Sequence, residues 1–147
     1  MEIKIENFKI NRKSVIMLNW DEYIILNMKK CNSNIIGLFT DGIFTCSSIF
    51  ISINNEEIVF FCHINESTDI INILDKIIEK EICNINIKTL ELFYTNGIRM
   101  CANNRIDYNN VIDKIISNFI KKFNIDEKQI NKKMIAHELT TSNIKNI

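Results

Sequence analysis

Two rhythms of apolar residues run along the chain, an alternation in the first half and a period near 3.6 at two later places. Residues 15–18 and 23–28 flank Asn19-Trp20-Asp21 and predict a hairpin. Residues 35–39 form a short apolar run containing Gly37. Residues 49–53 and 58–62 are dominated by β-branched and aromatic side chains and flank Asn54-Asn55-Glu56. Adjacent asparagines tolerate the positive φ that tight turns need, so these arms predict a second hairpin. Residues 86–94 alternate imperfectly, and a turn at Thr95-Asn96-Gly97 with a return over 98–101 predicts a third. Ile70, Ile71, Leu74, Ile77 and Ile78 share one helical face, with Ser67 or Thr68 available as N-cap. Val111, Ile112, Ile115, Ile116, Phe119 and Phe123 repeat that face, with Asp107 as a cap. Each fully buried large apolar side chain on such a face contributes roughly 1.5–3 kcal/mol. The tail from Ile125 is polar apart from Met134-Ile135-Ala136 and reads either as an edge strand or as a frayed terminus. No repeat, linker or composition break divides residues 1–147, which read as one domain. The expected class is α+β: a layered, mixed β-sheet sandwich built of hairpins with two amphipathic helices.

Composition narrows the functional classes. The 147 residues are 46% hydrophobic, so the bulk of the chain can form a core. The formal net charge is zero, unlike the basic footprint of a nucleic-acid binder. Lysine pairs such as Lys29-Lys30, Lys121-Lys122 and Lys132-Lys133 read as solvated faces. The start, Met1-Glu2-Ile3-Lys4-Ile5-Glu6, alternates charged and apolar residues and has no signal-peptide core. Apolar runs are far below the roughly 20 residues a spanning helix needs, so no membrane association is expected. Five cysteines without framework spacing point to a reducing compartment. There is no CxxC, and no second ligand pair accompanies Cys62-His63, so no metal or other cofactor is expected.

The candidate chemistry lies between Thr40 and His63. A free thiol has a pKa near 8.5 and needs a nearby base to act as a nucleophile. Histidine is the usual partner, and a third group must fix its tautomer, a task a hydroxyl can perform. Thr40 lies six residues before Cys46, and His63 seventeen after it. Cys46 and His63 are equidistant in sequence from Asn54-Asn55, which predicts cross-strand neighbours at the open end of the second hairpin. Asp41-Gly42 would turn Thr40 into the same pocket, and the backbone N–H groups of Thr45 and Cys46 would form an oxyanion hole. Cys31, Cys62, Cys83 and Cys101 read as small buried hydrophobes, and His137 as a surface residue of the tail. Trp20 is expected in the core or at the rim; exposed, it would anchor a protein partner.

The stretch Thr40-Asp41-Gly42-Ile43-Phe44-Thr45-Cys46, followed by His63, resembles the bacterial chemoreceptor glutamine deamidases of the CheD type. In that family a threonine, a cysteine and a histidine occur in this order and spacing. Gly42 matches the first motif glycine, and Thr45 stands in place of the serine before the cysteine. The resemblance covers about 24 residues, Thr40 to His63. It implies a CheD-like deamidase fold, also used by toxins of the lethal-factor and cytotoxic-necrotising-factor kind. It implies Cys46 as nucleophile, His63 as general base and acid, and Thr40 as the group orienting His63. The implied substrate is a protein carrying a reactive glutamine, either a chemoreceptor or a host protein. The implied location is a cytoplasm, the cell's own or that of a host reached by delivery. Phe44 replaces a small residue, and the glycines and proline that flank the family's histidine are absent, so a toxin-like or effector-like enzyme fits at least as well as a chemotaxis role. Transglutamination and proteolysis share the same acyl-enzyme logic. The competing class is an interaction module that keeps the fold without the chemistry.

Overall fold

The computed structural model describes residues 2–3, 6–10, 13–29, 35–41, 46–65, 68–82, 84–95 and 108–135. The strands are β1 (Glu2–Ile3), β2 (Glu6–Ile10), β3 (Lys13–Leu18), β4 (Glu22–Asn27), β5 (Ile35–Thr40), β6 (Ser47–Ile53), β7 (Ile58–Ile64), β8 (Leu90–Thr95) and β9 (Ile130–Ile135). Helix α1 spans Ile70–Ile77 and runs on into a π-helical turn at Ile78–Ile82, and α2 spans Tyr108–Phe123. A six-stranded mixed sheet has the order β1-β4-β7-β6-β8-β9, and a three-stranded sheet the order β2-β3-β5. The class is α+β, and its two sheets and helices are joined by two cores.

Alternation along the central strands feeds both cores. Ile58, Phe60, Cys62 and Ile64 of β7 pack with Ile49, Ile51 and Ile53 of β6, Leu90 and Leu92 of β8, and the buried faces of α1 and α2. Those faces are Ile70, Leu74 and Ile77 on α1, and Tyr108, Ile112, Ile115 and Phe119 on α2. On the other side of the sheet, Phe61 joins Ile24 and Leu26 of β4 and Ile16 and Leu18 of β3, with Leu38 and Phe50 against them. Strand β7 is therefore buried on both faces along its whole length. His63 follows Phe61 by two residues and so belongs to the side facing the smaller sheet.

The β6–β7 hairpin forms as the pattern predicts, but its register differs. Ile53 pairs with Ile58, and Asn54, Asn55 and Glu56 all have positive φ. The turn therefore takes in Glu56 and Glu57 as well as the asparagines, and His63 faces Ser48 rather than Cys46. A two-residue shift preserves the face, because side chains alternate with a period of two.

Three other expectations need correction. Strands β3 and β4 do not form a hairpin across Asn19-Trp20-Asp21, since they belong to different sheets. The segment is an arch: Ile16 and Leu18 pack face to face on Ile24 and Leu26 instead of pairing edge to edge. The return over 98–101 lies outside the described residues, and both edges of β8 are already occupied, by β6 and by β9. The two sheets are thus built less of hairpins than expected, with parallel pairs β1–β4, β3–β5 and β8–β9 among their ladders. Finally, the cap of α1 is Asp69, whose Oδ1 accepts from Asn72 N–H at 3.3 Å. Thr68 is diverted, donating its hydroxyl proton to Asp21. The expected cap Asp107 and residues 136–147 lie outside the described residues, while β9 realises the edge-strand alternative for the tail. No helix among the described residues is long and apolar enough to cross a membrane.

Candidate functional site

Strand β5 ends at Thr40 opposite Leu18 of β3, which brings the threonine hydroxyl to the space between the two sheets. Its Oγ1 donates to the Leu18 carbonyl at 2.8 Å and lies 2.7 Å from His63 Nδ1. A hydroxyl has one proton to give. With that proton committed to Leu18, Oγ1 must accept from His63, so Nδ1 carries the hydrogen and Nε2 carries the lone pair. Nε2 is buried and has no hydrogen-bond partner among the described residues. His63 itself is 2% exposed. A buried nitrogen acceptor left without a partner costs free energy, which makes this one of the few polar atoms in the core that structure alone does not account for.

The surroundings of His63 are polar on every strand that meets it. Ser48 lies opposite on β6. Ser48 sends its N–H toward β8, to Thr95 Oγ1 at 2.9 Å, so its pair with His63 is of the closely spaced type without backbone bonds. The Ser48 and Thr95 hydroxyls are 3.0 Å apart, and Ser47 donates to the Thr95 carbonyl. On β4, Glu22 stands one position beyond the Tyr23–Cys62 pair and accepts from Asn19 N–H at 2.7 Å. Burial holds the His63 pKa below the ordinary histidine range, while the negative charges of Asp41 and then Asp21 oppose that shift. A neutral imidazole with its Nε2 lone pair free is the form a general base requires.

Cys46 immediately precedes β6, is 8% exposed, and carries a free thiol. It lies two residues before Ser48, at the same end of the sheet as His63. The observed register makes Cys46 a diagonal neighbour of His63 rather than a direct one. Consistent with this, Sγ does not hydrogen-bond Nε2. The structure thus joins Thr40 to His63 directly and brings Cys46 to their end of the sheet without a bond between sulfur and imidazole. Thr45, and with it the turn expected to donate to an oxyanion, lies outside the described residues.

Cys62 is next to His63 in sequence but on the opposite face, fully enclosed by the helix-side core. Burial pushes its thiol far up, so it stays protonated and inert. Cys31, Cys83, Cys101 and His137 lie outside the described residues. Among the described residues no three His, Cys, Asp or Glu side chains converge on a metal-binding arrangement. Sequence reasoning missed Ser48, Glu22, Asp21 and Asp41 as neighbours of His63. The Ser47-Ser48 pair, interrupting an apolar strand just after Cys46, was a usable signal, whereas nothing local marks Asp21. No protein-family model matches the chain, and no curated protein matches it.

Proposed function

We propose that the protein is a cysteine-dependent glutamine deamidase acting on a protein substrate. The observation that carries this reading is the Thr40–His63 bond, which commits Nδ1 and leaves Nε2 as an unpartnered, buried base at the same end of the sheet as the Cys46 thiol. In the reaction, Nε2 takes the Cys46 proton and Sγ attacks the carboxamide carbon of a substrate glutamine. The oxyanion forms against the Cys46 N–H and, following the resemblance, that of Thr45. The imidazolium returns its proton to the departing nitrogen, which leaves as ammonia. His63 then takes a proton from water as the hydroxide attacks the thioester, and gives it to the leaving thiolate. The net change is glutamine plus water to glutamate plus ammonia. Thr40 holds the imidazole in the required tautomer throughout. Hydrogen bonds between nucleophile and base are often long before substrate binds and shorten in the complex, which accommodates the missing Sγ–Nε2 bond.

A host protein or a chemoreceptor fits as substrate, and the toxin-like or effector-like role is the one we favour from the departures around Phe44 and His63. A cytoplasm, the cell's own or a host's, is the corresponding place of action. A non-enzymatic interaction module is the second reading, favoured by the unbonded thiol and by an exposed Trp20. Incubation with lysates of candidate cells, followed by a mass-spectrometric search for glutamine-to-glutamate conversion, separates the two. Conversion with ammonia release that disappears in Cys46→Ala supports the enzyme, and conversion undiminished in that variant overturns it.

A further inference from the structure

Trp20 is the only tryptophan of the chain and is 62% exposed. The arch that displays it is held at both sides. Asn19 N–H donates to Glu22 Oε2 at 2.7 Å, and Asp21 Oδ1 accepts from Thr68 Oγ1 at 3.0 Å. Asp21 adopts φ 62, a left-handed conformation that a non-glycine residue keeps only where its surroundings hold it. The residue before Asn19 is Leu18, whose carbonyl fixes the Thr40 hydroxyl, so the arch and the His63 tautomer share one anchor. Asp41 follows Thr40 at the end of β5 and is exposed. Among the described residues no lysine or arginine pairs with Asp21 or Asp41. An exposed indole, the exposed Asp41 carboxylate, the Asp21 carboxylate with one oxygen bonded to Thr68 and no cationic partner among the described residues, and a buried, unpartnered Nε2 therefore lie at one end of the molecule.

These are the groups that recognise an organic cation. An indole face attracts ammonium or guanidinium ions within about 6 Å of its ring, and carboxylates supply charge-assisted hydrogen bonds. We propose that Trp20, Asp21 and Asp41 form a cation-recognition rim that selects glutamines with an arginine or lysine beside them in the substrate protein. Arginine is preferred, because a planar guanidinium stacks on the indole and pairs with a carboxylate in two places at once. The inference rests on the deamidase reading and adds its specificity. The same rim repels the glutamate that the reaction creates, which favours release of product over rebinding.

The test uses short peptides carrying one glutamine followed by arginine, lysine, citrulline or glutamate. Citrulline keeps the size and planarity of arginine without its charge. Binding is read from intrinsic fluorescence of Trp20 in full-length Cys46→Ala, where no turnover intervenes, and turnover is read as ammonia release by the unmodified protein. The arginine peptide should bind about tenfold more tightly than the citrulline peptide, with the glutamate peptide weakest, and the gap should narrow as salt is raised. Asp41→Asn should cut the arginine-over-citrulline preference in KM about tenfold, and Asp41→Glu should restore most of it. Equal binding of arginine and citrulline peptides, or an unchanged preference in Asp41→Asn, overturns the rim. If every peptide is deamidated at the same rate, the rim is wrong and the deamidase reading stands. If none is deamidated while the charge-dependent fluorescence change persists, the rim stands and the deamidase reading falls.

Discussion

The β6–β7 hairpin has two ends that treat polar side chains in opposite ways. At the turn, Asn54 uses every bonding group of its amide: Nδ2 donates to the Asn86 carbonyl at 2.8 Å, and Oδ1 accepts from Lys88 N–H at 2.6 Å and Thr89 N–H at 3.2 Å. It does so from a left-handed backbone, φ 52, and ties the hairpin to the segment leading into β8. A surface cleft lies here, lined by Asn54, Asn84, Asn86 and Lys88, but Asn54, its central side chain, is spent on holding the fold. At the open end, His63 makes one bond and keeps a second nitrogen empty. This cleft is thus architectural, whereas the open end is marked by an unmade bond at His63 Nε2.

That contrast can be broken by substitution at either end. The largest effect is expected at the open end: His63→Ala should lower ammonia release by on the order of 10²–10⁴-fold, the usual worth of a positioned acid–base. A urea unfolding curve on the same sample should show a far smaller change in the midpoint than in the rate. The turn end should behave in reverse. Asn54→Ala removes three hydrogen bonds from a left-handed residue and should cost about 2–3 kcal/mol in urea unfolding, with kcat retained in the folded fraction. A loss of kcat in Asn54→Ala that outruns unfolding would erase the distinction between the two ends.

Thr40→Val is expected next, with about a tenfold loss in kcat, since the base remains but its tautomer is no longer enforced. In ¹⁵N-detected spectra, the His63 ring of this variant should lose its preference for hydrogen on Nδ1. The smallest effect concerns pH. Burial holds the His63 pKa low against the Asp41 and Asp21 charges, so the native state binds this proton less readily than the unfolded chain. The contribution is complete above the unfolded histidine pKa of about 6.5 and is lost as pH falls from there toward the folded value. Urea midpoints between pH 7.5 and 5.5 should therefore fall more steeply in the unmodified protein than in His63→Phe. Equal slopes would mean that His63 is not shielded.

Elements with local causes were legible in the chain. Both helices follow from their apolar spacing, and the β6–β7 arms follow from β-branched density around two asparagines. Non-local choices were not. Strands β3 and β4 alternate as hairpin arms do, and the same alternation serves an arch whose strands pack by their faces, so the pattern cannot decide between them. The three-stranded sheet depends on a parallel pairing of β3 with β5, which has no turn signal. Glu56 at φ 68 has no local signature of its conformation, and it moved the register by two residues. For the site, residue identity and order pointed to Thr40, Cys46 and His63. The direction of the Thr40 proton, and hence which histidine nitrogen is free, required the Leu18 carbonyl from another strand. The carboxylates of Asp21 and Asp41 meet His63 only through the arch and the end of β5.

The central claim is that Nε2 of His63 acts as a base on Cys46. Alkylation of the native protein with iodoacetamide at pH 7, followed by peptide mass spectrometry, reads all five cysteines in one sample. Exposure alone could give Cys46 a lead over the enclosed Cys62, so the informative quantity is the change in that lead on removing the imidazole. Cys46 should be modified first in the unmodified protein and lose at least about tenfold of its rate in His63→Ala, while the other thiols keep theirs. A Cys46 rate that is unchanged in His63→Ala would contradict the account and return the cysteine to the core.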